Sequence, residues 1–437
     1  MNQKPDRLAI FVVGAAIFMN FFLAIVNAHV HSVTAGDVIS IQLLITAGAV
    51  GLILRRWPQL PNSFYLSLWL LGCMAIGSMI FTQTFNPRFL YDISVIPTFI
   101  MLGSTMQSLD IKWLGRLVVI VLLVALVEAF LTPFYIALVD PLHYYISTRA
   151  WLAQVAADRS IDPSAVGLYI GAVRPGGEVF GLTTHRVGSI FLEPISLGYF
   201  AIIAGLAYIY HYELSFRRLV LPLAACLLLT LLSDTRAATA VLLLLVFFRI
   251  FIWRIPAKLG VFVPIGIILI AALAYYIQSI THHTNGIFLS NGVPYYLQSN
   301  GGGGSELLSR LGVTFVPLQY AGLFEIVFGG VNNIRAVDSG ILYLTSFSGI
   351  FGALLYFYVA SGFTSSNKRA PGFSISVMIY LVTGALFGTA VLSIKTGALL
   401  GLLTGYLTKS VYRSGAAAAT RPAGPSASFR RRSRVGA

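Results

Sequence analysis

Long apolar stretches separated by short polar ones dominate the pattern of this chain. A helix needs roughly 20 apolar residues to cross a bilayer, and twelve stretches reach or approach that length. We predict spans at 9–28, 36–54, 64–85, 93–109, 113–133, 194–212, 218–232, 237–253, 259–278, 339–362, 373–392 and 395–412. The pattern predicts an all-α polytopic membrane protein with about 12 transmembrane helices and two large loops on one side.

Composition supports this class, because 57% of the residues are hydrophobic, only 10% are charged and the mean hydropathy is +0.83. Soluble globular domains do not have this composition. The net charge of +14 comes from basic residues between the apolar stretches and in the tail, so no nucleic-acid partner is predicted. Cys73 and Cys226 both lie in apolar stretches, which favours core residues over a disulfide or a metal site.

The distribution of charge predicts the orientation. Cytoplasmic loops carry an excess of Lys and Arg. With the N-terminus in the cytoplasm, most of the 29 Lys and Arg residues fall on the cytoplasmic side, and an even number of spans returns the C-terminus there. Most acidic residues fall on the outer side, while Glu128 lies within a predicted span. Charges of both signs therefore meet on the outer face, where we expect the function.

Six regions follow from these spans. They are N-terminal helices at 1–137, a first large loop at 138–193, central helices at 194–278, a second large loop at 279–338, C-terminal helices at 339–412 and a disordered basic tail at 413–437. Loops of this length are usually functional. The apolar stretch 311–330 is long enough to span, but a span there would place Lys368 and Arg369 outside. We therefore expect it to be re-entrant or to lie along the interface.

Arginines on the outer side suggest an anionic ligand. Arg186, Arg236 and Arg310 each stand beside a predicted membrane entry point, and Arg174 and Arg335 are further candidates. Guanidinium groups match phosphate oxygens bidentately, and an arginine cluster above lipid suits a polyprenyl pyrophosphate. Two structural readings remain open at this stage: snorkelling at a loop end, and an ion pair with a neighbouring carboxylate that braces a tight hairpin.

Acid–base chemistry has three candidate residues. Transfer of a glycan from a lipid pyrophosphate needs stabilisation of the leaving group and a base for the incoming hydroxyl. The arginines can provide the first without a metal, and Glu193, Asp338 or His185 can provide the second. His282 and His283 are adjacent on a loop rich in Gly and Asn with no third ligand, so no metal and no cofactor are predicted.

Several short motifs occur together in the second half of the chain. They are Arg186–Pro194 with Gly198, Ser233–Arg236, Ser309–Arg310, Gly329–Gly330 and Asp338–Gly340 with Tyr343. With these motifs and its two large loops, the chain resembles the O-antigen ligase and Wzy-type polysaccharide polymerase superfamily over about residues 170–412. Within that superfamily it looks closest to exopolysaccharide polymerases of the xanthan type.

The resemblance implies a metal-independent inverting glycosyltransferase in exopolysaccharide biosynthesis. It would transfer a glycan from an undecaprenyl-pyrophosphate donor to a lipid-linked repeat-unit acceptor on the periplasmic face of the bacterial inner membrane. Membrane lipid, a chain-length regulator and export proteins are the implied partners. The family often carries paired Arg-X10-Gly motifs, and here the spacings Arg186 to Gly198 and Arg310 to Gly322 are each one residue longer.

Two other functions compete with the polymerase. A ligase would move finished glycan to another acceptor, but His282 and His283 lie early in the second loop, which does not match the functional His of the ligases. A lipid-linked oligosaccharide transporter would perform no chemistry. Transporters concentrate polar groups at the midplane and often contain repeats. Here the charges crowd one face, which favours the polymerase.

Overall fold

The computed structural model describes most of the chain. The described residues are 6–58, 60–109, 111–141, 143–144, 180–183, 185–211, 216–252, 257–281, 287–290, 293–296, 311–312, 314–315, 317–331, 339–363 and 371–419. Regular structure within these ranges is helical except for one antiparallel hairpin of β1 (Ile287–Ser290) and β2 (Val293–Tyr296). This hairpin lies in the second predicted loop and was not expected from the pattern.

The α-helices follow one another with short connections. They are α1 (Arg7–His29), α2 (Ala35–Arg55), α3 (Asn62–Thr82), α4 (Pro87–Thr105), α5 (Ile111–Phe130), α6 (Thr132–Val139), α7 (Pro194–His211), α8 (Phe216–Leu232), α9 (Arg236–Ile252), α10 (Val263–Thr281), α11 (Leu323–Phe328), α12 (Gly340–Ala360), α13 (Pro371–Leu386) and α14 (Ile394–Ala419). Short 3-10 turns occur at Ser189–Phe191, Ala257–Phe262 and Ala390–Leu392.

Local chemistry explains where several helices begin. The side chain of Thr34 accepts a hydrogen bond from the backbone of Asp37, whose carboxylate accepts from Thr34 in return, which forms a capping box for α2. Asn86 caps α4 in the same way and is followed by Pro87, a residue suited to the first helical position. Ser339 caps α12. The polar residues between apolar stretches therefore act as helix starts.

Each of the twelve predicted stretches coincides with a helix. Seven described helices are long and apolar enough to cross a membrane, and three shorter helices are also apolar. The number of actual crossings stays a prediction. Two ends differ from expectation: α6 is a separate helix, because the chain breaks at Leu131 and restarts with Pro133 in its first turn. α14 continues to Ala419, into the predicted tail, because alanine has the highest helix propensity.

Burial separates central from peripheral helices. In α7, 83% of the span is buried inside the protein, whereas the figure for α2 and for α10 is 17%. Helix α7 contacts α5, α8, α9, α13 and α14. The helix that follows Arg186 and Glu193 in the chain is therefore the central one, and the segment before it is held from several sides.

Helices α4 and α14 make the closest helix pair. A Cβ atom at Gly401 would lie 2.6 Å from the carbonyl oxygen of Ile96, and one at Gly405 would overlap that of Ile100. Gly103 of α4 meets the backbone of Leu402 in the same way. Small residues at such an interface let two backbones approach, which is how helices associate tightly in membranes.

Candidate functional site

A compact turn at 185–193 precedes α7 and forms the centre of the candidate site; we call it the site turn. Ser189 and Leu192 have left-handed backbone conformations, with φ of 51° and 58°. A side chain on Gly188 would come within 2.8 Å of the backbone nitrogen of Glu193. The turn therefore folds back on itself so tightly that only glycine fits at this position.

The carboxylate of Glu128 accepts hydrogen bonds from the backbone of the site turn. Glu128 lies in the last turn of α5 and is fully buried. It accepts a hydrogen bond of 3.0 Å from the backbone N–H of Gly188 and a shorter one from that of Ser189. His185 is a further neighbour of this carboxylate, with its Nε2 3.8 Å from Oε1. Charge-assisted hydrogen bonds of this kind are among the stronger ones, so the turn is firmly anchored to α5.

Three further hydrogen bonds attach the site turn to neighbouring helices. The hydroxyl of Ser189 donates to the carbonyl of Val121 at 2.8 Å, and the hydroxyl of Tyr135 on α6 donates to the carbonyl of Ser189 at 2.7 Å. The backbone N–H of Val187 donates to the carbonyl of Leu232 at 3.0 Å. The turn is thus connected to α5, α6 and the end of α8.

Arg186 joins the site turn to a second turn, Ser233–Thr235, between α8 and α9. Its Nε donates to the carbonyl of Ser233 and its Nη2 to the hydroxyl of Thr235, both at 3.2 Å. Only 8% of Arg186 is exposed. At least two of its five N–H groups are therefore bonded within the protein, and these bonds join the two turns.

Gly198 allows the same two turns to meet. A Cβ atom at Gly198 would lie 2.8 Å from the side chain of Ala238 and 3.2 Å from that of Thr235. The absence of a side chain therefore brings α7 against the beginning of α9. Arg236 is the first residue of α9 and is exposed, in contrast to Arg186.

Glu193 forms an ion pair with Lys395, the second residue of α14. The distance between Nζ of Lys395 and Oε2 of Glu193 is 3.2 Å, and the hydroxyl of Ser196 donates to the same oxygen at 2.7 Å. Burial alone would raise the pKa of Glu193. The charge of Lys395, the hydrogen bonds from Ser196 and Lys395 and the charge of Arg186 outweigh burial, so the pKa of Glu193 falls below its ordinary value.

Unlike Glu193, which is stabilised in its ionised form, His185 is favoured in its neutral form. Burial lowers the pKa of its imidazole, because the charged form is poorly solvated there. A neutral imidazole can accept a proton at neutral pH. In the described part of the site, the group suited to act as a base is thus His185, while the carboxylate of Glu193 is stabilised in its ionised form.

Four of the eight site residues predicted from the sequence are described. His185, Arg186 and Glu193 lie on the site turn, and Arg236 lies on the adjoining turn, so these four come together at one end of the helices. Their predicted roles stay predictions. The other four, together with the two adjacent histidines of the second loop, lie outside the described residues: Arg174, Arg310, Arg335, Asp338, His282 and His283.

Sequence reasoning gave no role to two charged residues of the site, Glu128 and Lys395. A signal was present for each. Glu128 is an acidic residue inside an apolar stretch, and such residues usually mark functional or paired positions. Lys395 is the single lysine among nine basic residues placed on the outer side, at the start of an apolar stretch. What the sequence could not supply is their partners.

The arrangement can bind an anion and accept a proton at one end of a helix bundle. The exposed guanidinium of Arg236 stands where the N-terminal end of the α9 dipole also favours negative charge. Next to it, α7, α9 and α13 leave a gap too narrow for a water molecule, lined by Tyr199, Ile202, Ala237, Val241, Tyr380, Thr383 and Gly384. Within the described ranges, no group of three or more His, Cys, Asp or Glu side chains is placed to hold a metal ion.

Fold and composition together define a helical multi-pass membrane protein. Comparison with known proteins adds no closer relation: no protein-family model, no curated protein and no solved structure matches the chain.

Proposed function

We propose that this protein is a polysaccharide polymerase that joins undecaprenyl-pyrophosphate-linked repeat units at the periplasmic face of the bacterial inner membrane. The observation that carries the proposal is the junction of the site turn with the Ser233–Thr235 turn through Arg186. It brings together two motifs that are 47 residues apart in the chain and that both occur in the resemblance to the polymerase superfamily. The reaction would be a metal-independent inverting glycosyl transfer.

In this proposal Arg236 binds the pyrophosphate of the donor. It is the exposed arginine of the pair, whereas Arg186 is buried and supports the turn on which Arg236 stands. Charge that develops on a departing pyrophosphate is stabilised by preorganised guanidinium donors.

His185 is the base in this proposal. Its lowered pKa keeps the imidazole neutral, whereas Glu193 is paired with Lys395 and is a weaker proton acceptor. Glu193 would instead keep Lys395 and Arg186 in place. Asp338 stays a predicted alternative base.

A transporter of lipid-linked oligosaccharide is the second candidate, and one observation favours it. Helix α12 is interrupted at Gly349, which has non-helical backbone angles of φ 69° and ψ 171°. Discontinuous helices near the midplane often form substrate sites in transporters. A ligase remains the third candidate and differs from the polymerase only in its acceptor.

The decisive experiment uses purified protein in vesicles with a lipid-linked repeat unit as both donor and acceptor. A polymerase extends the unit into a ladder of longer products. A ligase does not extend it, and a transporter moves it across the bilayer without changing its length. The products are separated by electrophoresis or mass spectrometry.

Single variants then test the assigned residues. Arg236→Ala should lower the rate of chain extension by about 100-fold, the typical cost of removing one donor that stabilises developing charge. His185→Gln should lower the rate by about 100-fold or more and leave a residual activity. Arg56→Ala serves as the control, because Arg56 lies at the end of α2 and pairs with Asp6, at the start of α1. Wild-type rates in folded Arg236→Ala and His185→Gln proteins would refute the proposed chemistry.

A further inference from the structure

The segment 317–330 exposes a cluster of large apolar side chains that the rest of the described protein does not cover, while its Glu325 accepts a hydrogen bond from the backbone N–H of Gly322. Leu323 is 79% exposed and Phe324 54% exposed, and Tyr320 and Phe328 are exposed as well. Phe324 stacks edge to face on Phe81 of α3, with ring centroids 5.0 Å apart. An exposed aromatic cluster of this kind marks an interaction surface.

The C-terminal end of this segment is locked between α3 and α12. Gly329 and Gly330 have φ angles of 91° and 102°, which side chains rarely adopt. A Cβ atom at Gly329 would overlap the hydroxyl of Ser78, and one at Gly330 would lie 2.6 Å from Thr82. The backbone N–H of Gly330 donates to the carbonyl of Ser346 at 2.7 Å.

The interruption of α12 fits the same segment. The backbone of α12 is non-helical at Gly349, and the carbonyl oxygen of Val327 lies against this position. A Cβ atom at Gly349 would overlap that oxygen. Irregular backbone inside a membrane persists only where it is buried in protein or lines a water-filled cavity. The segment 317–330 packs over the non-helical position in α12 and donates a hydrogen bond to the backbone of that helix. The irregular backbone of the segment and that of α12 therefore stabilise each other.

The contacts place the segment well below the ends of the helices. At about 1.5 Å per residue, Ser346 lies about 9 Å and Gly349 about 13 Å beyond the start of α12. Ser78 lies about 6 Å before the end of α3 by the same measure. One leaflet of the hydrocarbon core is about 15 Å thick. With the ends of α3 and α12 taken as the membrane boundary, residues 327–330 lie within the thickness of one leaflet.

We propose that residues 317–330 form a wedge inserted into the membrane leaflet at the end where α3 finishes and α12 begins, with lipid acyl chains as the partner of its exposed aromatic face. We infer lipid as the partner because the apolar surface of the wedge continues that of a membrane-length helix. Phe81, exposed on the membrane-length helix α3, contacts the wedge through Phe324, and Ile80 extends the apolar surface of the same helix. This proposal concerns the wedge alone and does not depend on the enzymatic function.

The test measures how deep the wedge lies. Nitroxide labels are attached at Phe324→Cys and Phe328→Cys in a background in which Cys73 and Cys226 are replaced by Ala. Oxygen concentrates in the bilayer and a nickel chelate stays in water, so the ratio of their collision rates reports depth. Labels at Ile80→Cys and Ser32→Cys give the lipid and water references, because Ile80 is exposed on α3 and Ser32 is exposed between α1 and α2.

We expect the ratio at 324 and 328 to match that at 80 and to exceed that at 32 severalfold. A ratio at both positions equal to that at 32 would overturn the wedge. A second variant, Gly349→Ala, should expel Val327 and lower the ratio at 324, whereas Gly72→Ala should leave it unchanged, because a Cβ at Gly72 meets no atom within 4 Å. No change at 324 in folded Gly349→Ala protein would also overturn the proposal.

Discussion

At the scale of single residues, one buried carboxylate shapes the candidate site. A charged group buried in protein is costly unless it is paired and hydrogen-bonded. Glu128 is satisfied by hydrogen bonds from the backbone amides of Gly188 and Ser189. Because His185 and Arg186 lie three and two residues before Gly188, the position of both side chains depends on Glu128.

Removal of this carboxylate should therefore destabilise the protein. Glu128→Ala leaves two buried amides without their acceptor, which costs about 1–3 kcal/mol each. Glu128→Gln keeps one acceptor oxygen and should lose less. Denaturant unfolding in detergent measures the difference, with Ser32→Ala, in an exposed connection, as the control. Equal midpoints for wild type, Glu128→Ala and Glu128→Gln would contradict this account of the turn.

The pH dependence of the proposed reaction follows from His185. A base works in its neutral form, and burial lowers the pKa of His185 below the ordinary value of about 6.5. The rate of chain extension should therefore be constant above about pH 6.5 and fall only at lower pH. The unfolded chain binds this proton more readily than the folded one, so stability also declines as the pH falls below about 6.5.

A pH–rate profile of the wild type and of His185→Gln checks this expectation. The residual activity of the variant should lack the acidic limb. An acidic limb that remains in His185→Gln would assign the titration to a different group.

At the scale of secondary-structure elements, we expect the packing of α14 against α4 to fix the position of Lys395, the second residue of α14. Gly397, Gly401 and Gly405 recur every four residues along α14 and face α4, beginning two residues after Lys395. Interfaces built from backbone contact tolerate little displacement, since an added atom at Gly401 or Gly405 meets a carbonyl group of α4. We therefore expect the ion pair of Lys395 with Glu193 to depend on these glycines, which form a seam along the same helix.

Substitution within this seam should separate the two helices. Gly405→Ala places a methyl group on the carbonyl oxygen of Ile100, and we expect a loss of about 1–3 kcal/mol, as for an overpacked core. Gly51→Ala in α2 is the matched control, because a Cβ there meets no atom within 4 Å, and its higher helix propensity should make it neutral or slightly stabilising. Thermal unfolding in detergent compares them, and equal losses for both would disprove a specific seam.

At the scale of the whole molecule, the two ends of the bundle differ. One end holds the site turn, Arg236, Glu193 and Lys395, while the other contains the ion pair of Asp6 with Arg56. Charges of both signs gather at the first end, which the positive-inside rule assigns to the outside. The orientation remains a prediction and can be measured directly.

Accessibility of single cysteines in whole cells tests the orientation. In a variant without Cys73 and Cys226, Ser32→Cys and Gln83→Cys should react with a membrane-impermeant maleimide added outside. Trp57→Cys and Gln107→Cys should react only after permeabilisation. All four positions are exposed in connections between helices, so their exposure is matched. The opposite pattern would invert the protein and place the site turn in the cytoplasm.

Apolar periodicity and a few capping residues were enough to locate the helices of this protein. Thr34, Asn86 and Pro87 determine where α2 and α4 begin, because caps and proline act within one helical turn. The same local reasoning placed Glu193 directly before a helix that starts at Pro194. The bend at Leu131 was missed because it does not interrupt hydrophobicity strongly. The hairpin of β1 and β2 was missed although Asn291 and Gly292, a pair typical of two-residue hairpin turns, separate its two apolar runs.

What the amino-acid order determined by itself was therefore the helical membrane class, the helix positions and the identity of the charged residues near their ends. Only the tertiary structure decided which of those charges meet: Glu128 with the amides of the site turn, Arg186 with Ser233 and Thr235, and Glu193 with Lys395. The physical reason is range. Helix propensity and capping act over a few neighbouring residues, whereas these pairs are 47 to 202 positions apart and depend on how whole helices pack.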